Sequence, residues 1–87
     1  MLIGKVVGSV VSTRKSEKLV GNKFMLVELS EKMGGGNQLI AIDNIGAGIG
    51  EFVLVATGSA ARIGCAQADS PVDAAIVGIL DDGEKFR

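Results

Sequence analysis

Three glycines alternate with Ala47 and Ile49 at positions 46, 48 and 50, and an apolar run follows at residues 52–55. Glycines at this spacing permit positive φ angles and the close approach of another backbone or group. The run after them is rich in β-branched and aromatic side chains, which predicts a strand. The chain is therefore built around a tight loop that leads directly into a strand.

A glycine-rich loop that binds phosphate normally follows a strand and opens a helix, whose first amide groups attract the anion. In this chain a strand follows the loop, the spacing is G-x-G-x-G, and no lysine comes directly after it. The pattern favours a structural bend or a contact between subunits. A nucleotide-binding loop is the alternative interpretation.

Alternation of side chains predicts a long first strand at residues 2–13, with Leu2, Gly4, Val6, Gly8 and Val10 on one face. Small residues on that face suit a sharply coiled barrel. Further strands are predicted at residues 23–30, 39–43, 52–57 and 74–81. The last competes with a helix-start signature at residues 70–73, but its β-branched run favours a strand.

The connections between these strands are polar at residues 14–22 and glycine-rich at residues 31–38, where a mobile turn is expected. Residues 59–62 begin with a serine cap followed by two alanines, which predicts a single helical turn. Five strands with short connections and little helix predict an all-β fold. We expect a small, partly open, five-stranded OB-like β-barrel.

The 87 residues are enough for one domain, which we place at residues 1–81 with a polar C-terminal tail at residues 82–87. The chain is 47% hydrophobic, with a mean hydropathy of +0.40, and is more aliphatic than a small barrel can easily bury. Its longest charge-free runs stop well short of the ~20 residues of a transmembrane helix, and no signal peptide is recognisable. A cytosolic protein that buries the surplus by oligomerisation is the expectation.

The composition gives little support for catalysis. There is no histidine, and the only cysteine, Cys65, is best interpreted as a buried structural thiol. Serine catalysis lacks its usual base, so Ser59 is interpreted as a helix cap. Asp43, Glu51 and Asp73 are assigned surface or loop-bonding roles rather than a catalytic carboxylate pair. We expect no catalytic residue, no cofactor and no metal.

Charge is distributed unevenly along the chain, since residues 1–32 are net positive and residues 33–87 net negative. This asymmetry suits head-to-tail contacts, in which unlike surfaces meet and a ring closes. Ordinary solvated charge explains it equally well.

An OB-like barrel raises single-stranded nucleic-acid binding as the rival function. Such sites need a cationic groove and aromatic platforms on which bases stack. This chain has a pI near 5.2 and only three aromatic residues. They are Phe24, Phe52 and Phe86. A small basic patch is provided by Arg14, Lys15, Lys18 and Lys23, but binding without stacking partners would be weak.

Taken in order, several motifs across most of the chain resemble the EutN/CcmL-type pentameric vertex proteins of bacterial microcompartment shells. They are Val6-x-Gly8-x-Val10-Val11-Ser12-Thr13-x-Lys15, Leu19-x-Gly21-x-Lys23, Gly46-Ala47-Gly48-x-Gly50-Glu51-x-Val53-Leu54-Val55, Gly58-Ser59-Ala60-Ala61-Arg62 and Pro71-Val72-Asp73-Ala74-Ala75-x-Val77-Gly78-Ile79. Residues 63–66 have no counterpart in this pattern, and the connection at residues 31–38 is short and glycine-rich.

The resemblance implies a structural protein with a small β-barrel fold that associates as a cyclic pentamer. Proteins of this family close the vertices of a polyhedral shell among hexameric shell proteins in the bacterial cytoplasm. By the same resemblance, the loop made by Gly46, Ala47, Gly48, Gly50 and Glu51 would lie near the subunit contacts or the central axis. Ser59 and Arg62 would brace a neighbouring loop, and the basic residues Arg14, Lys15, Lys18 and Lys23 would be candidates for contact with other shell proteins.

Overall fold

The structure, a computed structural model, describes residues 1–11, 23–31, 36–58, 60–61 and 73–81. These residues form five strands, β1 (Leu2–Val10), β2 (Lys23–Leu29), β3 (Gln38–Asp43), β4 (Phe52–Thr57) and β5 (Ala74–Leu80). They close into a barrel in the order β1-β2-β3-β5-β4. The all-β prediction is confirmed, although the barrel is closed where a partly open one was expected.

All strand pairs are antiparallel except β3 and β5, which are parallel and matched at Ile42 opposite Ala75 and Asp43 opposite Ile76. Among the described residues only Glu31, Ala60 and Ala61 have helical backbone, in line with the expected low helix content. The cap assigned to Ser59, the expected mobile glycines at positions 34 and 35, and the tail at residues 82–87 lie outside the described residues.

The barrel interior is filled by β-branched side chains. Val6, Val27, Val53 and Val55 are fully buried and come from three different strands. Branched aliphatic side chains pack well on a curved sheet, which explains how a chain poor in aromatic residues fills its core. Ala41, Ala47, Ala74 and Ile76 belong to the same cluster.

A second, smaller cluster contains Ile42, Ala56, Ala61 and Ala75. Phe24 and Val77 pack against its edge. Ile42 alternates along β3 with Ala41 of the interior, so this cluster lies on the outer face of the barrel. Ala61, which is fully buried, covers it from the connection after β4. Part of the apolar surplus is therefore buried within the chain itself.

The first strand is confirmed as far as Val10, but the faces predicted for its side chains are wrong beyond Val6. Val7 is an extra residue in the pairing with β2, because Val6 lies opposite Val27 while Gly8 lies opposite Leu26. Such a β-bulge reverses the alternation of faces. Gly8 and Val10 therefore share the outer face with their β2 partners instead of continuing the inward face of Leu2, Gly4 and Val6, and the described strand ends at Val10.

Gly4 permits the close contact of β1 with β2. A Cβ atom at this position would lie 2.5 Å from Cγ1 of Val27 and 2.9 Å from the carbonyl oxygen of Glu28. Real Cβ atoms do not approach other atoms so closely, so only glycine fits. At Gly8 the nearest atom is 3.9 Å away, and no such restriction applies.

Candidate functional site

The connection between β3 and β4, residues 44–51, is the candidate site and is named here the glycine loop. The loop follows Asp43, the last residue of β3, which is only 2% exposed. Oδ1 of Asp43 accepts hydrogen bonds from the amides of Ile45 (3.0 Å) and Gly46 (3.1 Å), and Oδ2 accepts one from Ala47 (2.8 Å). Aspartate commonly bonds backbone amides just beyond it in this way, so Asp43 fixes the start of the loop.

The far end of the loop is a tight turn from Gly48 to Glu51. The amide of Glu51 donates to the carbonyl oxygen of Gly48 over 3.1 Å. Oε1 of Glu51 in turn accepts from the amide of Gly48 at 2.6 Å. Gly50, the third residue of this turn, has a φ of 94°, and a type II turn requires positive φ at that position. Glycine is needed here for its backbone conformation.

Backbone bonds also join the loop to β1. The amide of Val6 donates to the carbonyl oxygen of Glu51 (2.9 Å), and the amide of Gly50 donates to the carbonyl oxygen of Val6 (2.8 Å). These bonds continue the pairing of β1 with β4 beyond Phe52, which lies opposite Lys5. The loop is thus an ordered extension of the sheet.

Side chains within the loop alternate between the core and the surface. Ala47 is 7% exposed and belongs to the interior cluster. Ile45 and Ile49, two residues to either side, are 48% and 67% exposed. The loop therefore inserts its smallest side chain into the barrel and presents two large aliphatic side chains outward.

The hydrogen bonds of the loop argue against the phosphate-binding alternative. A phosphate cradle needs backbone amides that point at the anion. Here the amides of residues 45, 46, 47, 48, 50 and 51 already donate to Asp43, Glu51, Val6 or Gly48. Carboxylates of the chain accept from the amides of residues 45–48, and backbone carbonyls accept from those of residues 50 and 51, so these amides are not available to an anion.

The loop-bonding role assigned to the acidic residues is confirmed for Asp43 and Glu51. A catalytic carboxylate pair has no support, because Asp43 is buried with both oxygens bonded to amides. Asp73 is exposed, and its carbonyl oxygen accepts from the amide of Gly58 (2.8 Å).

The residues singled out in the sequence fall into two groups. Gly46, Ala47, Gly48, Gly50 and Glu51 lie together in the glycine loop, and Lys23 is exposed at the start of β2. The others lie outside the described residues: Arg14, Lys15, Lys18, Ser59, Arg62 and Cys65.

Two features of the site were missed from sequence. The exposure of Ile45 and Ile49 was not predicted, although large aliphatic residues beside glycines in a loop are a usable signal. The backbone pairing of Val6 with Gly50 and Glu51 has no local sequence signal, because it joins residues far apart in the chain.

The two aromatic residues within the described part of the chain are poor platforms for nucleic-acid bases. Phe24 is half-buried against the outer cluster. Phe52 is half-buried beneath Lys5, whose Nζ lies 5.8 Å from the ring centroid. A base would have to displace this cation–π contact to stack on Phe52.

Neither metal ligation nor a membrane span emerges from the described ranges. They contain no group of three or more His, Cys, Asp or Glu side chains arranged to hold a metal ion. None of their helical residues belongs to a helix of the length and hydropathy that a bilayer crossing requires.

Comparison with known proteins gives a consistent result over almost the whole chain. The family model described as "Ethanolamine utilisation protein EutN/carboxysome" matches residues 1–81. The bacterial microcompartment shell vertex protein GrpN of Rhodospirillum rubrum is 46% identical over 86 residues, which cover 97% of each chain. The carboxysome shell vertex protein CcmL of a Synechocystis strain is 46% identical over 83 residues, covering 93% of this chain and 83% of that protein.

The fold agrees with the sequence comparison. A solved structure described as the GrpN pentameric microcompartment shell protein from Rhodospirillum rubrum matches with a TM-score of 0.80 and 47% identity. The match covers 93% of this chain and 94% of that one. None of these proteins is described as binding nucleic acid, so the rival function gains no support from them. The resemblance seen in the sequence motifs is confirmed, and the chain belongs to the EutN/CcmL family.

Proposed function

We propose that this chain is a shell vertex protein of a bacterial microcompartment. Five copies form a ring, and the ring closes a vertex of the polyhedral shell in the bacterial cytoplasm. The observation that carries the proposal is the similarity, along nearly the full length, to a protein described as a pentameric microcompartment shell protein, with a TM-score of 0.80 at 47% identity. The vertex proteins GrpN and CcmL add support at 46% identity each.

The physical chemistry of the chain supports assembly independently. A small, aliphatic domain gains stability by burying exposed apolar area against copies of itself. The exposed Ile45 and Ile49 on an ordered loop provide such area. Gly46, Ala47, Gly48, Gly50 and Glu51 are accordingly assigned to the subunit contacts or the central axis.

The remaining assignments extend the same proposal. Ser59 and Arg62 brace a neighbouring loop, and the basic residues Arg14, Lys15, Lys18 and Lys23 contact hexameric shell proteins. Residues 1–81 form the barrel domain and residues 82–87 its tail. The role is structural, without catalysis or a cofactor, in keeping with relatives named as shell vertex proteins.

The oligomeric state is the first test. Native mass spectrometry and size-exclusion chromatography with light scattering are expected to give five times the chain mass of 8.9 kDa. A ring of six would require a different place in the shell. A protein that stays monomeric at micromolar concentration would overturn the proposal.

The second test addresses the vertex role. Hexameric shell proteins expressed with this chain are expected to form closed polyhedra in electron micrographs. Without it, or with a variant that does not form rings, they are expected to form open sheets, tubes or shells with missing vertices. Equally closed shells with and without the chain would contradict the vertex assignment.

A further inference from the structure

The tip of the glycine loop carries an apolar surface that the barrel itself does not use. Ile45 and Ile49 are 48% and 67% exposed, although both lie within two residues of the buried Ala47. Val7, 37% exposed, follows directly after Val6, whose backbone is bonded to Gly50 and Glu51. Single exposed aliphatic residues are ordinary, but two of them on one ordered loop, with a third next to the residue that the loop bonds, indicate a contact surface.

This surface is held in a fixed shape. Asp43 binds three consecutive loop amides, Glu51 binds the amide of Gly48, and two backbone bonds tie the loop to Val6. Ordering a loop at the moment of binding costs free energy, which weakens association. In this chain the loop is ordered by folding, so the isoleucines are presented without that cost.

The chemistry of the loop selects the kind of partner. Residues 44–51 contain no lysine or arginine. Their one acid, Glu51, bonds the amide of Gly48, and the preceding Asp43 is buried with its carboxylate bonded to the loop. A nucleic acid or another anion would find no cation here. The surface suits an apolar patch of a protein.

The chain is similar to a pentameric protein. The partner that carries the apolar patch is therefore taken to be a second copy of this chain. A cyclic ring is held by heterologous contacts, in which one surface of each subunit meets a different surface of the next. We propose that the side chains of Ile45, Ile49 and Val7 belong to one of these two surfaces. This inference rests on the proposed function and assigns the ring contact to the aliphatic side chains, with the glycines and the two acids shaping the loop that presents them.

The test replaces the isoleucines without disturbing the loop. Ile49→Ser and the double variant Ile45→Ser/Ile49→Ser are compared with the wild type in a dilution series by native mass spectrometry. The protein concentration at which half of the chains are assembled is expected to rise at least about tenfold in the double variant, since each contact loses two buried isoleucines. Far-UV circular dichroism is expected to remain that of a β-rich protein.

Ile49→Leu is the matched control, because leucine keeps the apolar area while changing only its shape. This variant is expected to assemble at nearly the wild-type concentration. A double variant that assembles as well as a pentameric wild type would overturn this inference alone. A monomeric wild type would overturn the proposed function and this inference with it.

Discussion

Oδ2 of Asp43 accepts a 2.8 Å hydrogen bond from the amide of Ala47, and this bond joins the end of β3 to a residue of the buried interior cluster. Both residues are buried, at 2% and 7% exposure. A charged group at such a site is stable only when hydrogen bonds replace the water it has lost. The three amides of the glycine loop provide those bonds, so the loop and the barrel depend on each other for their structure.

Asp43→Asn is expected to destabilise the protein. The amide side chain keeps one acceptor but presents an N–H group to a loop amide that needs an acceptor, and a buried donor left without a partner costs about 1–3 kcal/mol. Chemical denaturation at a fixed protein concentration measures the change in the free energy of unfolding. Asp73→Asn, at an exposed position, serves as the control and is expected to change it by less than about 0.5 kcal/mol. Equal denaturation midpoints for Asp43→Asn and the wild type would show that the hydrogen bonds of Asp43 to the loop do not stabilise the protein.

Gly4→Ala and Gly8→Ala form a matched pair on one strand. Alanine at position 4 would press its Cβ against Val27 and the Glu28 carbonyl, so a loss of about 1–3 kcal/mol is expected from overpacking. Alanine at position 8 meets nothing closer than 3.9 Å and is expected to leave stability unchanged or slightly higher. Thermal unfolding of the two variants side by side checks the difference. If both variants unfold at the same temperature, the close contact at Gly4 does not require glycine.

Gly48→Asp is expected to weaken ring assembly while the barrel stays β-rich. A Cβ at this position would lie 3.1 Å from Oε1 of Glu51, so a second carboxylate would displace the first from the Gly48 amide and distort the turn. Light scattering reports assembly, and circular dichroism reports the fold. Gly48→Ala is the control, since it adds the Cβ without the charge and is expected to retain more assembly. An oligomer unchanged by the aspartate would count against a role for this turn in the contact.

Single-stranded oligonucleotides are expected to bind negligibly, because the protein is acidic overall and its two described phenylalanines are half-buried in contacts of their own. Fluorescence anisotropy of a labelled oligonucleotide at low salt is the measurement, with a titration of salt as the diagnostic. Tight binding that falls steeply with salt would revive the nucleic-acid interpretation.

Much of this architecture was predictable from local pattern. The strands β2 to β5 lie within one residue of their predicted bounds, because alternation and β-branched runs mark them clearly. The loop glycines were expected to permit positive φ angles, and Gly50 has one. The bulge at Val7 was not predictable, since it arises from the register that β1 adopts with β2 and not from the residues around it.

The position of the candidate site in the chain was predictable, but the long-range contacts that shape it were not. Glycine spacing located the loop, and the acids beside it were expected to have surface or loop-bonding roles. The backbone hydrogen bond between Val6 and Gly50 and the outward position of Ile49 depend on barrel closure, because closure brings β1 beside the loop. Such long-range contacts leave no trace in the spacing of neighbouring residues.

The position of β5 between β3 and β4 has a consequence for how the protein is made. During synthesis, β1 to β4 leave the ribosome before the strand that separates β3 from β4, so two sheet edges stay open until residues 74–80 emerge. Open edges invite pairing with the wrong strand. Asp43 also gains its neighbour Ile76 only at that late step. The barrel therefore closes only after β5 has been made, although every residue of the glycine loop is synthesised earlier.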